Sequence, residues 1–325
     1  MAFEVKHGAN PAHASRARRG LLAGAAGATL LALPRWARAQ AGAPADADAA
    51  QPVIDTLNIG RSQLELQFAP GFDARLRDEA RAWVRRSGDA VAAYFGGFPV
   101  AQAELLMQPV DGAGVLGGVT FGEPSLFIRI RLGRDTTHAQ FLDDWILVHE
   151  MVHLAIPRVP RSQNWLHEGI ATYVESVARG RAGLVPAATV WRDWAKAMPQ
   201  GQPQAGDAGL DHTPTWGRTY WGGAMFCLLA DVQMLKRSAR RAGLQQALQG
   251  VVAGGGSYAV PWPLQRILDT ADAAVGQTTL AELYARMKDA PAPADLGGLW
   301  RELGVQGDKL DDTAPWAAVR RAILS

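Results

Sequence analysis

The sequence predicts an α+β fold in which a small mixed β-sheet, crossed by one helix, precedes an all-helical half. Two patterns carry that prediction. Strand-like alternation of apolar and polar residues is confined to the stretch before Gly133, and after Thr136 apolar residues recur almost only at helical spacing. With 325 residues, 48% hydrophobic and 20% charged, the chain can close one large core or two small ones.

Residues 1–39 read as an export signal. Arg16, Arg18 and Arg19 precede the apolar run 20–34, and Ala37-Arg38-Ala39 offers a small-residue cleavage site. The run is shorter than the about 20 residues a helix needs to cross a bilayer, so no stable membrane anchor is expected after cleavage. The pair Arg18-Arg19 resembles a bacterial twin-arginine signal, which implies a periplasmic or secreted product beginning at Gln40. That product would carry 27 basic and 30 acidic residues, so the basic footprint of a nucleic-acid binder is absent. Residues 40–52 are small, polar and Pro-containing, and are expected to form a flexible spacer.

The sheet half is expected at 53–134. Alternation in Leu64-Glu65-Leu66-Gln67-Phe68 marks a strand, a helix follows at 73–94, and further strands are expected at 104–108, 114–121 and 126–132. The helical half, 135–325, is expected to carry helices near 137–155, 163–179, 187–197, 218–238, 242–253, 261–271, 277–288 and 314–324, with a long loop at 199–216. Together the halves are expected to make one catalytic domain. The lone Cys227 has no partner for an internal disulfide and reads as a buried apolar residue.

The chemistry concentrates in His149-Glu150-Met151-Val152-His153, an HExxH pattern near the end of the helix predicted at 137–155. Helical spacing puts positions i and i+4 on one face, so both imidazoles can reach one tetrahedral ion, while Glu150, about 100° round, flanks its open position. Phe141, Trp145, Val148 and Val152 form an apolar stripe, with Leu142 and Ile146 leading into the histidine face, so the helix should be buried all round. Asp143 and Asp144 suit the first turn as partners of the helix dipole. Two histidines on a core helix can also simply satisfy each other, so a metal reading requires a third ligand nearby.

The next helix supplies one in Trp165-Leu166-His167-Glu168-Gly169-Ile170-Ala171. HExxH followed by WLxEGxA resembles the gluzincin zinc metallopeptidases, in particular the aminopeptidase N and glycyl aminopeptidase families. The resemblance covers roughly residues 114–250 and implies a thermolysin-like catalytic domain, a Zn2+ cofactor held by His149, His153 and Glu168, and Glu150 as general base. His167 stands where the aminopeptidase N group usually has Asn, and is an alternative ligand. Glu175, two turns beyond Glu168, is read either as the orienting partner of a ligand imidazole or as a solvated surface residue. Tyr220-Trp221-Gly222-Gly223-Ala224-Met225 resembles the segment that supplies a transition-state tyrosine, which implies a catalytic role for Tyr220. Tyr94, Tyr173, Tyr258 and Tyr284 lack such a setting.

Two departures from the family stand out. Only residues 154–167 separate His153 from Glu168, a shorter spacing than in aminopeptidase N relatives, and no GxMEN-like strand is present. The strand Gly117-Gly118-Val119-Thr120-Phe121-Gly122-Glu123 can pair with an extended peptide, and Glu123 is either an amine-binding carboxylate or a turn residue beside Pro124. Trp191, Trp194, Trp216 and Trp221 are candidates for lining the groove or for packing the core. The function expected is that of an exported zinc peptidase acting on a peptide or protein substrate. The alternative is a catalytically silent binding or scaffold protein of the cell envelope.

Overall fold

The computed structural model describes residues 51–325; the predicted signal and residues 40–50 of the spacer lie outside the described residues. The α+β order expected from the sequence is found. Strands β1 (Val53–Ile59), β2 (Ser62–Phe68), β3 (Gln102–Val110), β4 (Val115–Phe121) and β5 (Phe127–Gly133) form one mixed sheet in the order β1-β2-β3-β5-β4. β2, β3 and β5 run parallel, while β1 and β4 pair antiparallel at the two edges. Strand β1 was not expected. Its Leu57 and Ile59 are buried but Val53 and Ile54 are exposed, so its alternation is faint in sequence and its order comes from pairing with β2.

Helix α1 (Ala74–Phe95) makes the crossover between the parallel strands β2 and β3. Asp73 caps it by accepting from the Leu76 amide at 2.7 Å, and Gly96, at φ 76°, closes its C-terminus in the left-handed region. Its face of Leu76, Ala80, Trp83, Val84 and Val91 is buried in the core.

The helix predicted at 137–155 is two helices, α2 (His138–Asp143) and α3 (Ile146–His153). The break lies at Asp144, whose backbone is extended and whose Oδ2 accepts from the Leu147 amide at 3.1 Å and from Trp83 Nε1 at 3.2 Å. An N-terminal cap thus starts a fresh helix, at the cost of continuing the old one. Then follow α4 (Asn164–Arg181), α5 (Ala187–Ala197), a π-turn (Arg218–Gly222), α6 (Gly223–Arg237), α7 (Leu244–Ala253), α8 (Leu264–Val275) and α9 (Thr279–Met287). The unexpected α10 (Leu296–Leu303) contains Gly297 and Gly298, which mask its helical signal, and is capped by Asp295. A short hairpin of β6 (Val305–Gln306) and β7 (Lys309–Leu310) leads to α11 (Ala317–Ile323).

One apolar core runs from Leu57 in β1 to Ile323 in α11; all eight residues of α3 are buried, and Leu147, Val148, Met151 and Val152 belong to that core. Cys227 is buried there, and burial raises its thiol pKa. Trp191 and Trp194 are core residues too, Trp194 stacked on Tyr173 at 4.9 Å. Among the described residues, no helix is long and apolar enough to cross a membrane.

Candidate active site

Helix α3 presents His149 and His153 one turn apart, with ring centroids 4.8 Å apart and planes nearly perpendicular. Beyond it the chain turns sharply through Leu154, Ala155 and Ile156, whose amides bond back to the carbonyls of Met151, Val152 and His153. This compact turn and a single 3-10 turn at Arg161–Gln163 accommodate the short spacing, and α4 begins at Asn164. Glu168 on α4 then reaches both imidazoles, its Oε2 lying 3.2 Å from His149 Nε2 and 3.5 Å from His153 Nε2.

Those distances test the site against zinc. Tetrahedral bonds of 2.0–2.1 Å place ligand atoms about 3.3 Å apart, which is the spacing of the carboxylate oxygen from each imidazole nitrogen. Glu150 also lies within this cluster, its carboxylate and the imidazoles of His149 and His153 all mutually within 4.8 Å. Of the two carboxylates, Glu168 fits the ligand position better. Glu150 is tied away by Thr120, whose Oγ1 lies 2.7 Å from Glu150 Oε2 and 2.9 Å from the Glu150 carbonyl oxygen. The residues present therefore suit a zinc ion held by His149, His153 and Glu168.

The electrostatics separate the two carboxylates. Burial pushes Glu150 up to about 7, against the lowering effects of His153 and the Thr120 hydroxyl, so it can both take and release a proton near neutrality. Burial acts to raise Glu168 as well, but the His153 and His149 imidazoles outweigh it and hold that carboxyl well below its ordinary value. Gly118 on β4 makes room for Glu150: a Cβ there would sit 2.6 Å from Glu150 Cγ. Edge strand β4 therefore borders Glu150 directly.

His167 is not aimed at the ligand cluster. Its Nδ1 lies 2.7 Å from His153 Nδ1 and its Nε2 3.1 Å from the Ile156 carbonyl oxygen, so both nitrogens are engaged behind His153. Burial, and then the His153 imidazole, lower its pKa to about 3 and keep it neutral. Glu175 is held by Arg179 at 3.3 Å and by the Ser176 hydroxyl at 2.7 Å, and these local partners, rather than a ligand imidazole, account for its placement.

Tyr220 sits in the π-turn, its ring 6.3 Å from that of His149 and nearly parallel to it. Burial, followed by the charges of Glu168 and Glu150, raises its pKa far above the ordinary phenol. Two features fix this turn. Arg218 Nε pairs with Asp207 Oδ2 at 2.7 Å in a buried ion pair, and its Nη1 donates to the Gly201 carbonyl. Gly169 and Gly223 let α4 and the start of α6 meet backbone to backbone, since a Cβ on Gly169 would lie 2.3 Å from Gly223 Cα. Trp216, 38% exposed, stacks on Tyr220, whereas Trp221 is buried.

Tyr258 was passed over in the sequence and belongs to this site. Its ring lies 4.8 Å from that of His167 and 6.3 Å from that of His153, and the charges of Glu168 and Glu150 add to burial in raising its pKa. Only its tertiary setting distinguishes it from other tyrosines. Its backbone is placed by an amide bond to the Leu154 carbonyl and by close packing on Gly122. Beside it Glu123 is paired with Arg158 at 2.6 Å, in keeping with the turn reading rather than a free amine-binding carboxylate.

No protein-family profile and no curated relative matches the sequence. Solved structures do resemble the fold. An aminopeptidase N family protein from Idiomarina loihiensis aligns over 78% of this chain and 49% of its own, at 13% identity and a TM-score of 0.58. An M1 zinc metallopeptidase from Deinococcus radiodurans aligns over 75% of this chain and 54% of its own, at 15% identity and a TM-score of 0.46. The chain thus spans about half the length of these proteins. In its mixed sheet and the helices that follow, the chain has an α+β fold resembling that of the aminopeptidase N family protein.

Proposed function

We propose that the chain is an exported zinc-dependent peptidase that hydrolyses peptide bonds, with residues 53–134 and 135–325 acting as one catalytic domain. The observation that carries this reading is the position of Glu168 Oε2 within tetrahedral-edge distance of both imidazoles, with a second, tethered carboxylate beside it. His149, His153 and Glu168 would hold the ion. When bound, zinc would supply Lewis acidity, making an attacking water more acidic and a peptide carbonyl more electrophilic.

The chain's own residues do the rest. Glu150 takes the proton of the attacking water as its oxygen bonds the carbonyl carbon, and returns that proton to the leaving nitrogen as the C–N bond breaks. The Tyr220 hydroxyl, facing the same carboxylates, donates to the carbonyl oxygen as negative charge builds there. The free edge of β4 offers backbone groups to an extended peptide.

The test is metal content by elemental mass spectrometry and cleavage of a mixed peptide library for the native protein, Glu168→Ala and Glu150→Gln. The expected result is one zinc per chain in the native protein and Glu150→Gln, loss of zinc in Glu168→Ala, and cleavage by the native protein alone. The cut positions would define exo- or endopeptidase specificity. Zinc without cleavage would favour the silent binding protein, and a native protein that takes no zinc would refute the proposal.

A further inference from the structure

We infer that His167 is a positioning residue that holds a hydrogen on His153 Nδ1, so that His153 Nε2 is the nitrogen left to bind the ion. The inference rests on the metal-site reading of His153. It follows from counting protons along a buried chain of three groups. The Ile156 carbonyl can only accept, so His167 Nε2, 3.1 Å away, must carry a hydrogen. A neutral ring protonated there has a lone pair on Nδ1. The 2.7 Å contact between His167 Nδ1 and His153 Nδ1 then needs one proton, and only His153 can give it. His153 therefore keeps a hydrogen on Nδ1, which leaves Nε2, the atom 3.5 Å from Glu168 Oε2, as the nitrogen that can bind the ion.

The setting keeps this arrangement in register. His153 and His167 are 5% and 4% exposed, so no water shell competes for the shared proton. Their rings lie 4.7 Å apart and 20° from parallel, and the Tyr258 ring packs on His167 at 4.8 Å. A histidine uses here the capacity that a carboxylate or carbonyl oxygen commonly provides behind a ligand imidazole: it accepts from the rear nitrogen, orients the ring and raises the basicity of the front one. A neutral acceptor does so without adding charge to a site that already holds Glu150 and Glu168. Free imidazole side chains favour the opposite tautomer, which would block Nε2, so removing the acceptor should weaken the site.

The test reads the site without relying on activity. Long-range nitrogen–proton spectra of the histidine rings in the zinc-free protein should show His153 protonated on Nδ1 and His167 on Nε2. Zinc affinity, measured by chelator competition, should fall about 10–100-fold in His167→Leu. It should largely recover in His167→Asn, whose Oδ1 sits where His167 Nδ1 does and can accept the same proton. Circular dichroism of both variants would establish that they fold, and the spectra of the native protein decide the tautomer even if one does not. His153 protonated on Nε2 and not on Nδ1, or folded His167→Leu with native zinc affinity, would overturn the inference. Expected tautomers and affinities without peptide cleavage would leave it standing while refuting the peptidase reading, and a native protein that takes no zinc would overturn both.

Discussion

Gly118→Ala separates the proposed general base, Glu150, from the proposed metal ligands. Gly118 lies in β4 opposite Ile130, outside the left-handed region, so alanine meets no backbone strain there. The obstacle is Glu150, whose Cγ would be 2.6 Å from the new Cβ, with Cδ and Oε1 both at 3.1 Å. Carbon atoms rest about 3.5–4.0 Å apart, so something must yield by about 1 Å. The strand is held by its ladder with β5 and the helix is buried on all sides, which leaves the Glu150 side chain to move and its 2.7 Å contact with Thr120 to stretch. A displacement of about 1 Å in a reacting group costs on the order of 100-fold in rate, and overpacking typically costs about 1–3 kcal/mol of stability. The expected outcome is a loss of about that size in kcat/KM on the best library peptide, with zinc content unchanged. Activity within about threefold of the native protein, with a folded variant, would refute the assignment of Glu150 as a base held in place by packing.

Asp207→Ala should act on Tyr220 from a distance. The Arg218–Asp207 pair has side chains 3% and 1% exposed, and stripping one partner strands a guanidinium, at a cost typically of about 3–5 kcal/mol. Thermal unfolding should show that loss, and kcat should fall while the zinc stoichiometry holds; an unchanged melting temperature would remove the pair from the account of the π-turn. Asp144 predicts a pH dependence. Burial raises its carboxyl from 3.8 to about 6, so the native state holds a proton that the unfolded chain has lost, and stability declines as pH rises from about 4 to 6. The difference of about two units corresponds to at most roughly 3 kcal/mol. Denaturant titrations of Asp144→Asn, which keeps an acceptor for the Leu147 amide, should lack this component, and parallel pH profiles for the two proteins would refute it.

The legible parts of the site are those written at helical spacing. His149, Glu150 and His153 lie within five consecutive residues, and Glu168 follows on the next helix, so one short turn suffices to join them. The ambiguous positions were those whose role depends on a partner far away in sequence. His167 and Glu175 both lie on α4, and only the position of His153 on one side and of Arg179 on the other separates an orienting residue from an ion-paired one. Tyr258 reaches the site from beyond α7, through a backbone bond to Leu154 and a fit against Gly122, neither of which leaves a pattern in sequence. The break at Asp144 was hidden for a related reason: its capping side chain also needs Trp83 from α1.

By itself the sequence determined the α+β order and the buried helix carrying HExxH, because apolar periodicity and i, i+4 spacing are local properties of a chain, while the glutamate that meets both imidazoles was picked out through the resemblance of WLxEGxA to a known family. Tertiary structure alone decided which carboxylate is tethered and which faces both nitrogens, which ring stands behind His153, and how closely β4 approaches Glu150. Those outcomes depend on contacts of a few ångströms between segments far apart in sequence, and only the packed core sets such distances.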